Sequence, residues 1–115
     1  MKIEYLGHAS FLLTTSTGTR IVTDPFDPAA YPDTMKYRRF RGEADIITLS
    51  HEHRDHSAAA IVDGNPIIIK GDGKFRAADV DFLGVATFHD DEKGARRGKN
   101  TVFVISADGL RVAHL

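Results

Sequence analysis

The sequence predicts an α+β fold that consists mostly of β-strands with one or two short helices. Short apolar runs containing β-branched residues recur along the chain, and clusters of turn residues separate them, as is typical of strands. The segment Ser57–Val62 is followed by Asp63-Gly64, which is typical of the end of a short helix.

The first third of the chain has the pattern of a β-meander, with strands predicted at Lys2–Leu6, Ser10–Thr14 and Arg20–Thr23. The third strand ends at Asp24-Pro25. Because proline lacks a backbone donor and restricts the residue before it, we expect the strand to stop there, with Asp24 extended and its carboxylate at the tip.

The later strands are predicted from apolar runs and from one hairpin signal. Ala44–Leu49 and Ile67–Lys70 have the composition of buried strands. Val80–Phe88 is interpreted as a strand pair or as one long strand broken at Gly84. Asp108-Gly109 lies between two apolar runs, 101–106 and 110–115, which predicts a tight hairpin.

Composition limits the classes of function. The 115 residues make one domain, with 42% hydrophobic residues, 27% charged residues and a net charge of -1. This charge balance argues against nucleic acid or a membrane surface as partner. The absence of cysteine excludes disulfides and thiolate metal sites and favours the cytoplasm, and neither a signal peptide nor a membrane span is predicted.

The chain stops at Leu115 within an apolar, strand-like run. We therefore expect residues 1–115 to be a single, truncated domain, with a short terminal strand as the alternative.

Four metal-competent side chains, His51, His53, Asp55 and His56, lie within six residues. Imidazole nitrogen and carboxylate oxygen suit a divalent ion, zinc above all, with manganese or iron as alternatives. His51 and His53 are separated by one residue, so in extended backbone they project to the same side and can bind one ion. Asp55 and His56 follow, where they could face a second ion. Ser50 could orient an imidazole through its second nitrogen. The alternative is a solvated, charged loop.

The segment His51-Glu52-His53-Arg54-Asp55-His56 resembles the His-x-His-x-Asp-His signature of the metallo-β-lactamase superfamily. The segments Tyr5–Ser10 and Thr23–Pro25 are similar to the metal-dependent hydrolase branch related to L-ascorbate-6-phosphate lactonase. This resemblance, which runs along the whole chain, implies the N-terminal part of an αββα sandwich, in which two sheets pack face to face between helices.

The resemblance also implies roles for single residues. Asp24 matches an aspartate that supports the metal loop, and His89 matches a histidine that completes a three-histidine site with His51 and His53. Without the resemblance, His89 could equally be a loop histidine. The ending Ala113–Leu115 is similar to the segment before a Gly-Asp whose aspartate bridges two metals. That aspartate and the last histidine ligand lie outside this sequence, so we expect the chain to carry only part of the active site.

Three further features have two interpretations each. His8 lines the pocket or is a turn histidine bonded to backbone, and His114 lies near the pocket or supports the ligands. The basic cluster at residues 36–41 meets an anion or, more often for such a run, forms a solvated face.

The sequence thus predicts a metal-dependent hydrolase that uses a metal-activated water on a small ester, lactone or phosphoester, with Asp55 orienting that water. The competing hypothesis is an inactive metal-binding or structural fragment. Because we expect strands for little more than one sheet, whose apolar face would be exposed, this hypothesis predicts a homodimer or larger oligomer.

Overall fold

Nine β-strands form two sheets in the part of the chain that the computed structural model describes, which is residues 1–26, 42–51, 62–88 and 99–114. The strands are β1 (Lys2–Gly7), β2 (Ser10–Thr14), β3 (Arg20–Thr23), β4 (Ile46–Leu49), β5 (Ile67–Lys70), β6 (Gly73–Ala77), β7 (Val80–Phe88), β8 (Lys99–Ala107) and β9 (Leu110–His114).

The five-stranded sheet has the order β1-β2-β3-β4-β5. Its first three strands pair antiparallel, which confirms the predicted meander, whereas β3, β4 and β5 pair parallel. Strand β4 is buried at all four positions, as its apolar sequence predicts. Parallel pairing places the carboxyl ends of β3 and β4, where Asp24 and Ser50 follow, at the same edge of the sheet.

The prediction that Ile67–Lys70 is a buried strand is right about the strand and wrong about its burial. Three of the four residues of β5 are exposed, with Ile67 at 54% and Ile68 at 49%. The reason is position, because β5 is an edge strand among the described strands of its sheet, and an apolar run in the sequence does not distinguish an edge from a centre.

The four-stranded sheet is an antiparallel succession of hairpins in the order β6-β7-β8-β9. The hairpin predicted at Asp108-Gly109 is confirmed. Ala107 pairs with Leu110, and both turn residues have the positive φ of a type I′ turn, 54° and 72°. Strand β6 was not predicted, since its sequence Gly-Lys-Phe-Arg-Ala contains no β-branched residue and it forms by pairing with β7.

Strand β7 runs unbroken through Gly84, so the break considered there does not occur. The glycine is required for packing instead. A Cβ at this position would lie 2.3 Å from the carbonyl oxygen of Gly71 and 3.1 Å from Thr101 Cγ2. Gly84 thereby lets the turn before β6 pass close over the strand.

The two sheets pack face to face around one apolar core. The five-stranded sheet contributes Leu13, Ile21, Ile46 and Ile69, and the four-stranded sheet contributes Val80, Phe82, Phe103 and Ile105. A second cluster, which includes Val22 and Ile47, lies on the opposite face of the five-stranded sheet. The expectation of little more than one sheet is therefore wrong. The predicted self-association can no longer be argued from a single sheet with an exposed apolar face, because the second sheet covers that face.

None of the described residues is helical, and none belongs to a helix that could span a membrane. The short helix predicted at 57–62 lies outside the described residues except for Val62, as does the basic cluster at 36–41.

Two aspartates join the sheets at the end remote from Asp24. Asp108 accepts hydrogen bonds from Ser16 N and Ser16 Oγ at 2.8 and 2.7 Å, and its carboxylate lies 3.2 Å from the amino group of Met1. Asp79 accepts from Thr17 Oγ1 and, at 2.7 Å, from Thr19 Oγ1. These bonds favour the ionised form of each carboxyl group. The hydrogen bonds from Ser16 hold the pKa of Asp108 below the ordinary 3.8, and those from Thr17 and Thr19 do the same for the pKa of Asp79.

The lowered pKa of Asp108 makes folding stability depend on pH. A carboxyl whose pKa is depressed by folding contributes stability above its unfolded pKa, and this contribution is lost as the pH falls through the folded value. We expect Asp108→Asn to lower the urea midpoint at pH 7 and to show a smaller further loss than the wild type between pH 5 and about 2. Asp72→Asn, in an exposed turn, is the control. Parallel acid limbs for the wild type and Asp108→Asn would contradict this assignment.

Adjacent residues of β7 test the packing of the sheets. Phe82 is 2% exposed between the sheets, whereas Leu83 is 40% exposed on the outer face. Phe82→Ala should lower the free energy of unfolding by about 3–5 kcal/mol, because it leaves a cavity in the core. Leu83→Ala should change it by roughly 0.5 kcal/mol. Equal losses in urea denaturation would show that the two sheets do not pack as described.

Candidate metal centre

Buried polar side chains converge at one end of the two sheets. Asp24 and Ser50 follow β3 and β4, His51 comes next, Asn100 lies near the start of β8, and His114 ends β9. Asp24, Ser50, His51 and His114 are buried, and Asn100 is partly buried. Burial of polar groups is costly unless they are hydrogen-bonded, so the bonds among these residues determine what the site can do.

Asp24 links the ends of the two parallel strands. Its side chain is almost fully buried, and its carboxylate accepts hydrogen bonds from Ser50 N at 2.7 Å and from Ser50 Oγ at 2.5 Å. Its own backbone N donates to Thr48 O at 2.8 Å. The carboxylate at the strand tip is therefore as predicted, and it holds the first residue of the loop that carries the predicted ligands.

The prediction of an extended Asp24 is wrong, since its φ is 40°. Proline at 25 disfavours the right-handed helical region but leaves the left-handed one accessible, and aspartate tolerates that region better than most residues. Such a conformation costs about 1–3 kcal/mol and persists where surrounding contacts hold it. Here the two hydrogen bonds from Ser50 do so.

Hydrogen bonds determine which nitrogen of His51 carries the proton. Ser50 Oγ donates its single hydrogen to Asp24, so it can only accept from His51 Nδ1, which lies 2.8 Å away. Asn100 Oδ1, 3.2 Å from the same nitrogen, is also an acceptor. In the neutral ring Nδ1 therefore carries the hydrogen and Nε2 the lone pair, which is the form of a histidine that ligates metal through Nε2.

His114 reaches this end of the sheets from the last strand. Its Nε2 donates to Ala9 O at 2.7 Å, in the turn between β1 and β2, and its Nδ1 lies 3.9 Å from Asp24 Oδ2. Within the described ranges, this Nδ1 is buried without a hydrogen-bond partner. The structure thus places His114 beside Asp24, and its predicted supporting role stays a prediction.

His8 lies in the turn between β1 and β2 and is exposed. It has a positive φ of 52°, its carbonyl oxygen accepts from Tyr5 Oη at 2.9 Å, and its ring meets Phe26 edge-on at 6.3 Å. The structure thus places His8 in a turn, while a bond from its ring to backbone and a role in the pocket both stay predictions.

Four predicted site residues, His53, Asp55, His56 and His89, lie outside the described residues. Among the residues that are described, no three side chains of the metal-ligating types come together. His51 is thus the one predicted ligand that the described residues include. Strand β7 ends at Phe88, the last described residue before His89 in the sequence.

Asn100 and Thr101 are site residues that sequence reasoning missed. Thr101 N donates to Ser50 O at 2.8 Å, next to the Asn100 contact with His51. Neither residue stands in a motif, and their position depends on the pairing of β7 with β8, where Thr87 is opposite Asn100. Only that pairing register could have indicated them.

A concave surface of about 760 Å³ lies at the other end of the five-stranded sheet, near the start of β3 and β4, with Thr17, Arg20 and Asp45 in its lining. None of the described residues that line it is a histidine. We therefore place the candidate site at the His51 end, where imidazole and carboxylate groups are bonded to one another.

The comparisons with known proteins identify the family to which the chain belongs. Residues 2–115 match the family model of the β-lactamase superfamily domain. A solved structure from Thermotoga maritima, assigned as a zinc-dependent hydrolase of the metallo-β-lactamase superfamily, superposes with a TM-score of 0.73 at 39% identity and covers 98% of this chain. The chain belongs to the metallo-β-lactamase superfamily.

Curated relatives in the superfamily are named metal-dependent hydrolases. One from Rubrobacter xylanophilus is 47% identical over 60 residues, which are 52% of this chain and 24% of that protein. One from Archaeoglobus fulgidus is 30% identical over 147 residues, covering 99% of this chain and 60% of that protein. The chain also covers 47% of the Thermotoga maritima protein. It therefore spans between about a quarter and three fifths of the length of these relatives.

A more distant structural neighbour shows the fold alone. A diiron β-hydroxylase from Streptomyces venezuelae superposes with a TM-score of 0.65 at 16% identity and covers 97% of this chain and 28% of that protein. The predicted metallo-β-lactamase-type fold is thus confirmed, with two sheets where little more than one was expected. The narrower resemblance to the ascorbate-6-phosphate lactonase branch stays a prediction.

Substitution of Asp24 tests whether its hydrogen bonds to Ser50 support metal binding. In Asp24→Asn the left-handed backbone stays accessible, but the amide offers one acceptor where the carboxylate offered two, which frees the Ser50 hydroxyl to donate to His51. We expect zinc affinity, measured by calorimetry, to fall about 10- to 100-fold. Asp45→Asn is the matched control, because Asp45 accepts from Arg20 N at 2.9 Å at the other end of the sheet. Unchanged affinity in Asp24→Asn would contradict the role given to Asp24.

Proposed function

We propose that this chain belongs to a metal-dependent hydrolase that acts with a metal-activated water on a small ester, lactone or phosphoester. The observation that carries the proposal is the setting of His51, whose Nδ1 lies within hydrogen-bond distance of two acceptors, so that in the neutral ring the lone pair is on Nε2. The curated relatives named metal-dependent hydrolases support the same reaction class.

The donor set of the loop fits a divalent ion. We propose that His51, His53 and His89 hold one ion and that Asp55 and His56 contribute to a second. Zinc suits three imidazoles best, and manganese and iron are the alternatives. When bound, such ions lower the pKa of water towards neutrality and stabilise the negative charge that develops on the scissile group.

The protein groups have separate tasks in this proposal. Asp24 and Ser50 hold His51 in the ligating tautomer, so no reorientation is needed before metal binds. Asp55 orients the attacking water by accepting its hydrogen bond. No cysteine or serine nucleophile is required, which fits a chain that contains no cysteine.

The extent of the chain bears on how much of the site it supplies. Because it spans 47% of the Thermotoga maritima protein, we propose that it carries part of the active site and that the helical layers of an αββα sandwich belong to the complete architecture. A cytoplasmic location and a small-molecule substrate belong to the same proposal, with neither nucleic acid nor membrane as partner.

An inactive, self-associating fragment is the second candidate. It is favoured by exposed apolar side chains on the outer face of the four-stranded sheet, Leu83 and Val85, and on edge strand β5, Ile67 and Ile68. A homodimer would cover such a surface. Light scattering that shows a monomer at micromolar concentration would reject this candidate.

Zinc titration tests the metal site directly. The wild type should bind zinc at pH 7.5, and His51→Ala combined with His53→Ala should lose about 100-fold or more in affinity, since two of three imidazole ligands are removed. His8→Ala is the control, because His8 lies outside the predicted ligand set. Equal binding by the wild type and the double variant would end the proposal.

Hydrolysis assays separate the two candidates. A panel of an aryl ester, a lactone and a bis-aryl phosphodiester, assayed with added zinc or manganese, should show turnover that the double variant lacks. Zinc binding without turnover of any of the three would favour the non-catalytic fragment.

A further inference from the structure

The Asn100 side chain contacts two different segments at the candidate site. Asn100 Oδ1 lies 3.2 Å from His51 Nδ1, in the loop after β4, and Asn100 Nδ2 lies 3.2 Å from Thr87 Oγ1, near the end of β7. A third hydrogen bond lies beside these two, since the backbone N of the next residue, Thr101, donates to Ser50 O at 2.8 Å. The side chain therefore bridges the His51 loop of one sheet to a strand of the other.

The direction of each bond follows from the chemistry of the groups. Thr87 Oγ1 donates its single hydrogen to Asn100 O at 3.3 Å, so towards the Asn100 side chain it can only accept. An acceptor at that place selects the amide NH₂ group, which turns Oδ1 towards His51. The orientation of the amide is thus determined by Thr87.

An amide oxygen cannot donate, and this separates Asn100 from Ser50. A serine hydroxyl could satisfy either tautomer of His51 if its bond to Asp24 were lost, whereas Asn100 Oδ1 accepts a hydrogen from Nδ1 and repels its lone pair. We propose that Asn100 is a positioning residue that keeps the hydrogen of His51 on Nδ1 and the lone pair on Nε2. Its consequence for metal binding rests on the proposed function, but its effect on the tautomer does not.

The tautomer of His51 can be measured in the metal-free protein. Nitrogen-15 and long-range proton correlations distinguish the two neutral forms at about pH 8.5, where an unperturbed imidazole is neutral. The His51 signals are assigned by their loss in His51→Ala. We expect the Nδ1–H form to predominate in the wild type.

Three variants separate positioning from general packing. Asn100→Leu removes the acceptor, so the ratio of the two tautomers should shift about 2- to 12-fold towards Nε2–H, as expected for one hydrogen bond. Asn100→Asp keeps an oxygen acceptor facing His51 and should retain the wild-type tautomer. Thr87→Val removes the group that orients the amide and should give a smaller shift than Asn100→Leu. Ser106→Ala, on the same strand at its other end, is the control.

Zinc calorimetry on the same proteins gives the second readout. Asn100→Leu should bind zinc about 10-fold more weakly than the wild type, and Asn100→Asp at least as tightly as the wild type. If Asn100→Leu does not fold, as judged by circular dichroism, the contrast between Asn100→Asp and Thr87→Val still decides, with a shift expected only in the latter.

Two outcomes would overturn the proposal. The first is a wild-type protein in which His51 is mainly in the Nε2–H form. The second is a folded Asn100→Leu variant that keeps the wild-type tautomer ratio. If Asn100→Leu does not fold, the wild-type ratio in Thr87→Val takes its place. A tautomer shift in a protein that binds no zinc would instead retain the positioning role and remove the hydrolase proposal, so the two failures are distinguishable.

Discussion

The bonds between the Asp24 carboxylate and Ser50 are the constraint on which this site depends. Asp24 follows β3, Ser50 follows β4, and their parallel pairing places them side by side, where Ser50 N and Ser50 Oγ donate to the two carboxylate oxygens. A carboxylate buried this deeply requires such donors. Because the Ser50 hydroxyl donates its only hydrogen to Asp24, its oxygen can only accept a hydrogen bond from His51. Through Ser50, one strand-end aspartate thus favours the same tautomer of His51 that Asn100 favours from the other sheet.

Residues of the four-stranded sheet complete the contacts around Asp24, Ser50 and His51. Asn100 and Thr101 of β8 contact His51 and Ser50, and His114 of β9 lies beside Asp24. At the opposite end, Asp79 and Asp108 accept hydrogen bonds from the turn between β2 and β3, so polar contacts join the sheets at both ends of an apolar core. A site held between two packed sheets keeps its geometry better than a site on a single loop.

Local sequence patterns were sufficient for most strands and for the strand-tip aspartate. The bounds of β2 and β3 match the predictions, and Asp108-Gly109 forms the expected hairpin, because alternation and turn chemistry act within a few residues. Features that depend on distant pairing were not predictable. The exposure of β5 follows from its edge position, β6 from its pairing with β7, and the placement of Asn100 from the β7–β8 register. The left-handed Asp24 likewise depends on bonds to a residue 26 positions away.

A crystal structure of the protein grown with excess zinc at neutral pH tests the central claim most directly. The account predicts zinc at about 2.0–2.1 Å from His51 Nε2, together with other ligands from the histidine-rich loop, while His51 Nδ1 keeps its bonds to Ser50 and Asn100. A structure in which zinc binds His51 through Nδ1, or in which the ring points to solvent with no ion beside it, would contradict the account.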